Sequence, residues 1–222
     1  MTILKSVTLF ALSLFLGIAL ATSTAKASVV SVGPGDFGPG STLTTFTGLA
    51  DGTEVNGLNF GGLVFGYSLG NGELVIDGGP GVTNNVNPQN IVSLGNPAGI
   101  LTINLGGSVN TFGYGYAVLN TIAVANATTI TLFDGLTNVG TLSYNGVPDP
   151  LFTGGFAGIF STLPFNRVEL TFAGGPAFAL DNIRTANSGP ATVPEPATLL
   201  LLGSGLVGVA EKLRRRRKEN KR

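Results

Sequence analysis

The sequence predicts an all-β protein, a single antiparallel, jelly-roll-like β-sandwich with an apolar helix at each end of the chain. Three observations carry that prediction. Through the middle of the chain, short runs rich in β-branched and aromatic residues alternate with Gly, Asn and Pro, the pattern of strands and turns. No stretch of that middle shows the 3.6-residue period of an amphipathic helix. The two longest apolar segments lie at the termini and are set apart from the body by their flanking charges.

Residues 1–27 read as a secretory signal peptide. "MTILK" supplies a short basic start, "SVTLFALSLFLGIALA" an apolar stretch, and Ala25-Lys26-Ala27 the small-x-small pattern of a cleavage site. Residues 28–187 form the expected sandwich. Its candidate strands are 58–69, 72–78, 90–95, 99–106, 109–119, 128–135, 138–146, 156–162, 166–174 and 177–185. Two of these alternate cleanly. Val168, Leu170 and Phe172 face one way and Arg167, Glu169 and Thr171 the other, while Ile130 and Leu132 oppose Thr129, Thr131 and Phe133. Such strands are half buried in an antiparallel sheet, and "DGLTN" at 134–138 joins two of them as a hairpin. About ten strands in a body of this length suit a two-sheet sandwich better than a barrel, and no fixed-period repeat suggests a solenoid.

Charge is segregated along the chain. Residues 28–192 hold nine carboxylates against two cations, Arg167 and Arg184, for a net charge of −7, although the whole chain sums to zero. An acidic body repels a polyanion, so no nucleic-acid partner is expected. Neither His nor Cys occurs anywhere, which excludes a Ser-His-Asp triad, a thiol nucleophile and the usual zinc and copper sites. Carboxylate pairs such as Asp51 and Glu54 invite a hydrolase reading, but a sparse acidic surface accounts for them. The protein is expected not to be an enzyme.

The C-terminal end has three parts. Residues 188–196 form a Pro-rich linker in which Pro190, Pro194 and Pro196 surround Glu195, and proline holds such a peptide extended. Residues 197–210 are fourteen uncharged residues, about 21 Å as a helix, short for a hydrocarbon core about 30 Å thick. Residues 211–222 carry eight of the twelve Lys and Arg, among them Arg214, Arg215, Arg216 and Arg217. After a translocated domain these arginines read as a cytoplasmic stop signal.

"VPEP", apolar helix and arginine-rich tail, in that order, resemble the PEP-CTERM sorting signal, which is also named as an ice-binding protein C-terminal domain. The resemblance implies that Pro194, Glu195 and Pro196 are recognised by an exosortase-type, transpeptidase-like membrane enzyme and that the segment after them is discarded. It further implies a Gram-negative bacterium, export through the inner membrane, transient anchoring there, and then a place at the cell surface or outside the cell in a biofilm-like matrix.

The body has a looser resemblance. "LADGTEVNGLNFGGLVFGYS" and "FNRVELTFAGGPAFALDNIRT" look like the sandwich domains often carried by exosortase-sorted proteins and, more distantly, like carbohydrate-binding jelly rolls. In such modules the last strand carries an Asp near a structural calcium, and Asp181 is the matching position. Asp181 also lies between Leu180 and Ile183 in an apolar strand, where a carboxylate needs a partner. Calcium would serve, with Asp51, Glu54 or loop carbonyls as further ligands. Pairing with Arg167 or Arg184, or backbone N–H groups at the strand end, is the simpler way to satisfy it. No other cofactor is expected.

Two further signals read as structural. "GGPGVTNNVNPQN" (78–90) is rich in turn residues and is expected to be a solvated connection. The tyrosines, including those of "FGYGY", are expected in the core. The leading functional expectation is an exported, non-catalytic surface or matrix protein associated with exopolysaccharide. The alternative is a calcium-dependent, lectin-like carbohydrate-binding module. Ice binding ranks third, because Thr-rich runs such as "STLTTFTG" are isolated.

Overall fold

The computed structural model describes residues 28–187 and Gly189. The signal peptide (1–27), the PEP motif, the helix expected over 197–210 and the basic tail all lie outside the described residues. Within them the chain is all-β apart from one 3-10 turn at Pro34–Asp36. The strands are β1 (Val29–Ser31), β2 (Thr42–Thr44), β3 (Asn59–Phe60), β4 (Leu63–Tyr67), β5 (Leu74–Asp77) and β6 (Asn90–Ser93). They continue with β7 (Leu101–Val118), β8 (Val124–Asp134), β9 (Thr137–Asp149), β10 (Phe152–Phe172) and β11 (Phe178–Ala186).

All the strand pairs are antiparallel, and they join into one sheet that folds over on itself. The fold comes from two long strands that serve both layers. The first part of β7 pairs with β4, and with the last part of β10 through Val168↔Ile103. The last part of β7 pairs with β11, and with the first part of β10 through Ala157↔Tyr114. Between the two zones the register of β10 on β7 shifts twice, from Phe160 to Phe165 and from Phe165 to Arg167, and bulges of this kind bend a strand. One layer is therefore β5–β6–β11–β7–β10. The other is β4–β7–β10–β8–β9.

The main core fills the space between the layers. Phe112, Tyr114 and Tyr116 of β7 enter it, as do Leu180 of β11, Ile130 and Leu132 of β8, and Val168 and Leu170 of β10. The alternation predicted for 128–133 and 166–174 is thus present. The alternate residues of β7, Gly113 and Gly115, face outward, and both positions are closely covered. A Cβ at Gly113 would lie 2.6 Å from Phe156, and one at Gly115 would lie 2.0 Å from the carbonyl oxygen of Asn85. "FGYGY" is therefore aromatic toward the core and bare where other chain segments rest on the sheet.

The segment 78–90 departs from the solvated connection that its composition predicts. Val86 and Asn90 are fully buried and Thr83 nearly so. The segment crosses the outer face of the first layer at Gly115. It is tied there by Thr83 Oγ1, which donates to Asp149 Oδ2 at 3.0 Å, and by Asn182 Nδ2, which donates to Asn85 O at 2.7 Å. Turn residues set its shape, but packing fixes its place.

Candidate functional site

The ladder on the outer side of β11 has a gap. β6 pairs with Ala179 and Leu180, β2 pairs with Ile183 to Thr185, and Asp181 and Asn182 fall between them. Asn182 has φ 54, a left-handed conformation that Asn tolerates better than most residues. The β11–β7 register shifts at the same point, between Asp181 and Arg184. This break turns Asp181 away from the main core, which Leu180 and Ile183 enter on either side of it.

Asp181 is 1% exposed. Its Oδ2 accepts the N–H of Asn87 at 3.1 Å. Burial pushes the carboxyl up to about 6, against the N–H groups of Asn182, Asn87 and Phe46, which pull it down. Neither arginine pairs with it. Arg167 pairs with Glu169 and lies 4.0 Å above the Phe133 ring, and that is the one ion pair among the described residues. Of the partners the sequence left open, backbone N–H groups are the ones present, and they satisfy only one side of the carboxylate.

Its other oxygen, Asp181 Oδ1, is buried with no partner, and so are Asn90 Oδ1 and Gln89 Oε1. These are the buried side-chain atoms left unpartnered among the described residues, and all three are acceptors. An orphaned buried acceptor costs about 1–3 kcal/mol. The strand register brings two of them, those of Asp181 and Asn90, to the same face. β6 meets β11 at Val92↔Ala179 and Ile91↔Leu180, and the same register carried one residue further sets Asn90 opposite Asp181. Directly opposed side chains share a face, with Cβ atoms about 5 Å apart. Asn87 joins the two, since its N–H reaches Asp181 and its carbonyl accepts from Asn90 Nδ2 at 3.2 Å. Asp77 lies across β5 from Asn90 in the same row, its Oδ1 accepting from Gly79 N at 2.8 Å.

This donor set fits calcium, which takes oxygen from carboxylates, side-chain amides and carbonyls. It differs from the set expected from sequence. Glu54 is engaged elsewhere, its two oxygens holding Asn56 N at 3.3 Å and Gly72 N at 2.8 Å. Asp51 accepts from Gln89 Nε2 at 2.7 Å and so touches the site through Gln89. Among the described residues no three carboxylates come together as a group that could hold a metal ion. Gln89 and Asn90 were missed in the sequence, since an Asn-rich loop gives no sign of which amides turn inward.

Beside this row lies an apolar groove of about 200 Å³. Val92, Ala179 and Ala117 form its floor, one outward-facing row further along the same three strands, with Phe152, Leu119 and Phe178 around it. Gly79 and Pro80, at the start of the 78–90 segment, form one wall.

Residues 192–218 match the PEP-CTERM protein-sorting motif. Pro194, Glu195, Pro196 and the four arginines fall inside that match. No curated protein matches the chain. Among solved structures, the K2 cleaved adhesin domain of Lys-gingipain is similar at 14% identity, covering 68% of this chain and 100% of that one, with a TM-score of 0.47. A mutant of a family 29 carbohydrate binding module is similar at 9% identity, covering 77% of this chain and 99% of that one, with a TM-score of 0.37. The sorting motif marks an exported protein that passes through the membrane and is processed by an exosortase.

Proposed function

We propose, from the premise that the chain carries an exosortase sorting signal, that it is a non-catalytic protein of the cell surface or extracellular matrix, associated with the exopolysaccharide of its own cell. The match at residues 192–218 carries this reading. The acidic body, at a net −7 over residues 28–192, suits a protein that stays soluble once its basic tail is removed. Its carboxylates hold loops in place. Asp36 takes the N–H of Gly33 at 2.7 Å, Asp149 takes the Thr83 hydroxyl, and Asp134 takes Asn166 Nδ2 at 3.2 Å. Side chains tied in this way are poor candidates for a paired acid and base.

The three orphaned oxygens favour a second reading in its details, a calcium-dependent glycan-binding module. Here the outer face of the first layer, with its apolar groove, meets the sugar. Pyranose rings present apolar C–H faces, and a groove of this size admits a sugar-sized contact.

The test is binding of the processed protein to exopolysaccharide from the producing bacterium, measured with calcium and with chelator. The matrix reading predicts saturable binding. Loss of that binding on chelation supports the glycan module, and equal binding in both conditions contradicts its calcium dependence. Absence of binding in both conditions overturns the polysaccharide association and leaves a surface protein sorted by its C-terminus alone.

A further inference from the structure

We infer that the end of the sandwich farthest from the chain termini is a homophilic contact surface, on which a second copy of this chain docks head to head. This adds a protein partner to the surface-protein reading, and the pairing itself needs neither polysaccharide nor calcium.

The strand register places the termini at one end. Thr111 of β7 lies abreast of Ala186 of β11 and of Phe160 of β10, and Phe160 lies abreast of Val30 of β1. The described chain therefore enters and leaves side by side, and a Cβ at Gly189 would still lie 2.7 Å from the Phe160 ring. At the other end of these strands Val118 is abreast of Phe178 and Thr153, and the connections 119–123, 150–151 and 173–177 gather there. They are tied to one another. Leu119 N donates to Ala177 O at 2.9 Å, Thr153 Oγ1 donates to Ile122 O at 2.7 Å, and Asn120 Nδ2 donates to Gly174 O.

Aliphatic side chains stand out from this end. Ile122, Val147 and Leu151 are 67%, 66% and 67% exposed. They adjoin the apolar groove, because Leu119 and Phe152, from the same stretches of chain, line it. Single exposed apolar residues need no explanation, but a contiguous patch marks a contact site.

Charge selects the partner. The body carries a net −7, so two copies repel one another over most of their surfaces. The three connections and the neighbouring stretch 79–84 contain no charged residue, and the adjoining Asp149 is engaged by Thr83 Oγ1 at 3.0 Å and Asn84 N at 3.3 Å. Glu54 and Glu73 belong to the β5 edge, on the far side of the layer from β10. Two acidic copies can thus meet here without like charges in contact. A lipid surface fits less well. Interfacial binding draws on Lys, Arg and Trp around an apolar face, yet the chain has no Trp, Arg167 reaches to Gly135 of the 134–138 hairpin, and Arg184 lies abreast of Gly113.

A ridge beside a groove suits a two-fold pair. Both copies then present the same patch, and the ridge of each meets the groove of the other. At about 200 Å³ the groove admits an aliphatic side chain of the partner. Because each chain leaves at the far end, a head-to-head pair carries its two C-terminal ends in opposite directions. Copies held by those ends on two cells, or on two strands of matrix, are joined by it.

The experiment uses the protein recovered from the bacterium that makes it, in buffer free of polysaccharide and containing chelator. Sedimentation equilibrium over a range of concentrations is expected to show a monomer passing to a dimer. Ile122→Asp and Leu151→Asp are each expected to weaken pairing at least about tenfold, because a charge enters the apolar contact from both copies. Their melting temperatures as monomers stay unchanged, as for other surface substitutions. Leu136→Asp is the control. Leu136 is 95% exposed in the hairpin that Asn166 holds at the bend of β10, near the termini, and its substitution leaves pairing unchanged. Beads carrying the protein by its C-terminal end aggregate with one another, and beads carrying Leu151→Asp stay dispersed.

Protein that stays monomeric at every concentration overturns the inference. A dimer that neither Ile122→Asp nor Leu151→Asp weakens, or that Leu136→Asp weakens equally, overturns the assignment of the surface. Pairing in solution without aggregation of the beads contradicts the head-to-head arrangement. A monomer that floats with neutral lipid vesicles assigns the patch to a membrane and overturns the homophilic partner. Pairing by a protein that binds no polysaccharide supports the inference and contradicts only the polysaccharide reading.

Discussion

Asp181 and the tyrosines show how burial sets the chemistry of single side chains here. Asp181 tolerates its place because the break in β11 brings backbone N–H groups to one of its oxygens. The tyrosines have a different solution. The Tyr114 hydroxyl bonds with Thr128 Oγ1, and the Tyr144 hydroxyl donates to Gly158 O, so each phenol keeps its proton and is satisfied as a neutral group. Burial pushes Tyr116 and Tyr144 up to about 12 and Tyr114 well above the usual phenol range, and it also raises Tyr67. The unfolded chain ionises its tyrosines near 10. The folded state therefore holds phenolic protons that the unfolded state has lost, and stability is intact below pH 10 and falls as pH climbs from 10 toward 12. With four Tyr and no Trp in the chain, absorbance at 295 nm follows this directly. At pH 11 the native protein is expected to show well under half of the phenolate signal of the denatured chain. Equal signals would mean that the rings are not buried as described.

At the scale of elements, the positions of most strands were legible, and their lengths were not. The hairpin at 134–138 and the alternation in 128–133 and 166–174 follow directly from side-chain period, because one face of each strand meets the core. The runs at 99–106 and 109–119 read as two strands across Gly106-Gly107, and 156–162 and 166–174 as two strands across Leu163-Pro164. Each pair is one long strand, β7 or β10. Gly and Pro mark breaks when a chain turns back, but in a strand passing between layers they mark the bend. Gly106, at φ 58, and Pro164, within the shift of register, are such points. In the same way 58–69 is two short strands around Gly61-Gly62, and β1 and β2 are too short, at three residues each, to announce themselves. Of the site, Asp181 was legible as a carboxylate in an apolar strand, whereas Gln89 and Asn90 depend on a long-range register that no local pattern reveals. Gly115 tests the packing of the 78–90 segment. Gly115→Ala places a Cβ 2.0 Å from Asn85 O. It is expected to cost about 1–3 kcal/mol by overpacking and to speed proteolysis within 78–90. Unchanged stability and unchanged cleavage would show that the segment does not rest on the sheet at this point.

Across the whole molecule, sorting and folding are assigned to separate stretches of chain. The sandwich encloses its own core between two layers joined by β7 and β10, and the sorting motif follows it at residues 192–218. The charge pattern has the same division. The body is acidic, and residues 211–222 concentrate the cations, so removal of the tail turns a neutral chain into a strongly acidic one suited to solution or to a hydrated matrix. The sorting signal delivers the sandwich, and the outer face of its first layer, with the buried oxygens and the groove beside them, is the part proposed to act after delivery. The most direct measurement is the intact mass of the protein recovered from the surface or medium of the bacterium that makes it. The account predicts a chain that has lost residues 197–222, including Arg214 to Arg217. A mature protein that still carries this tail would contradict exosortase processing, and with it the central claim.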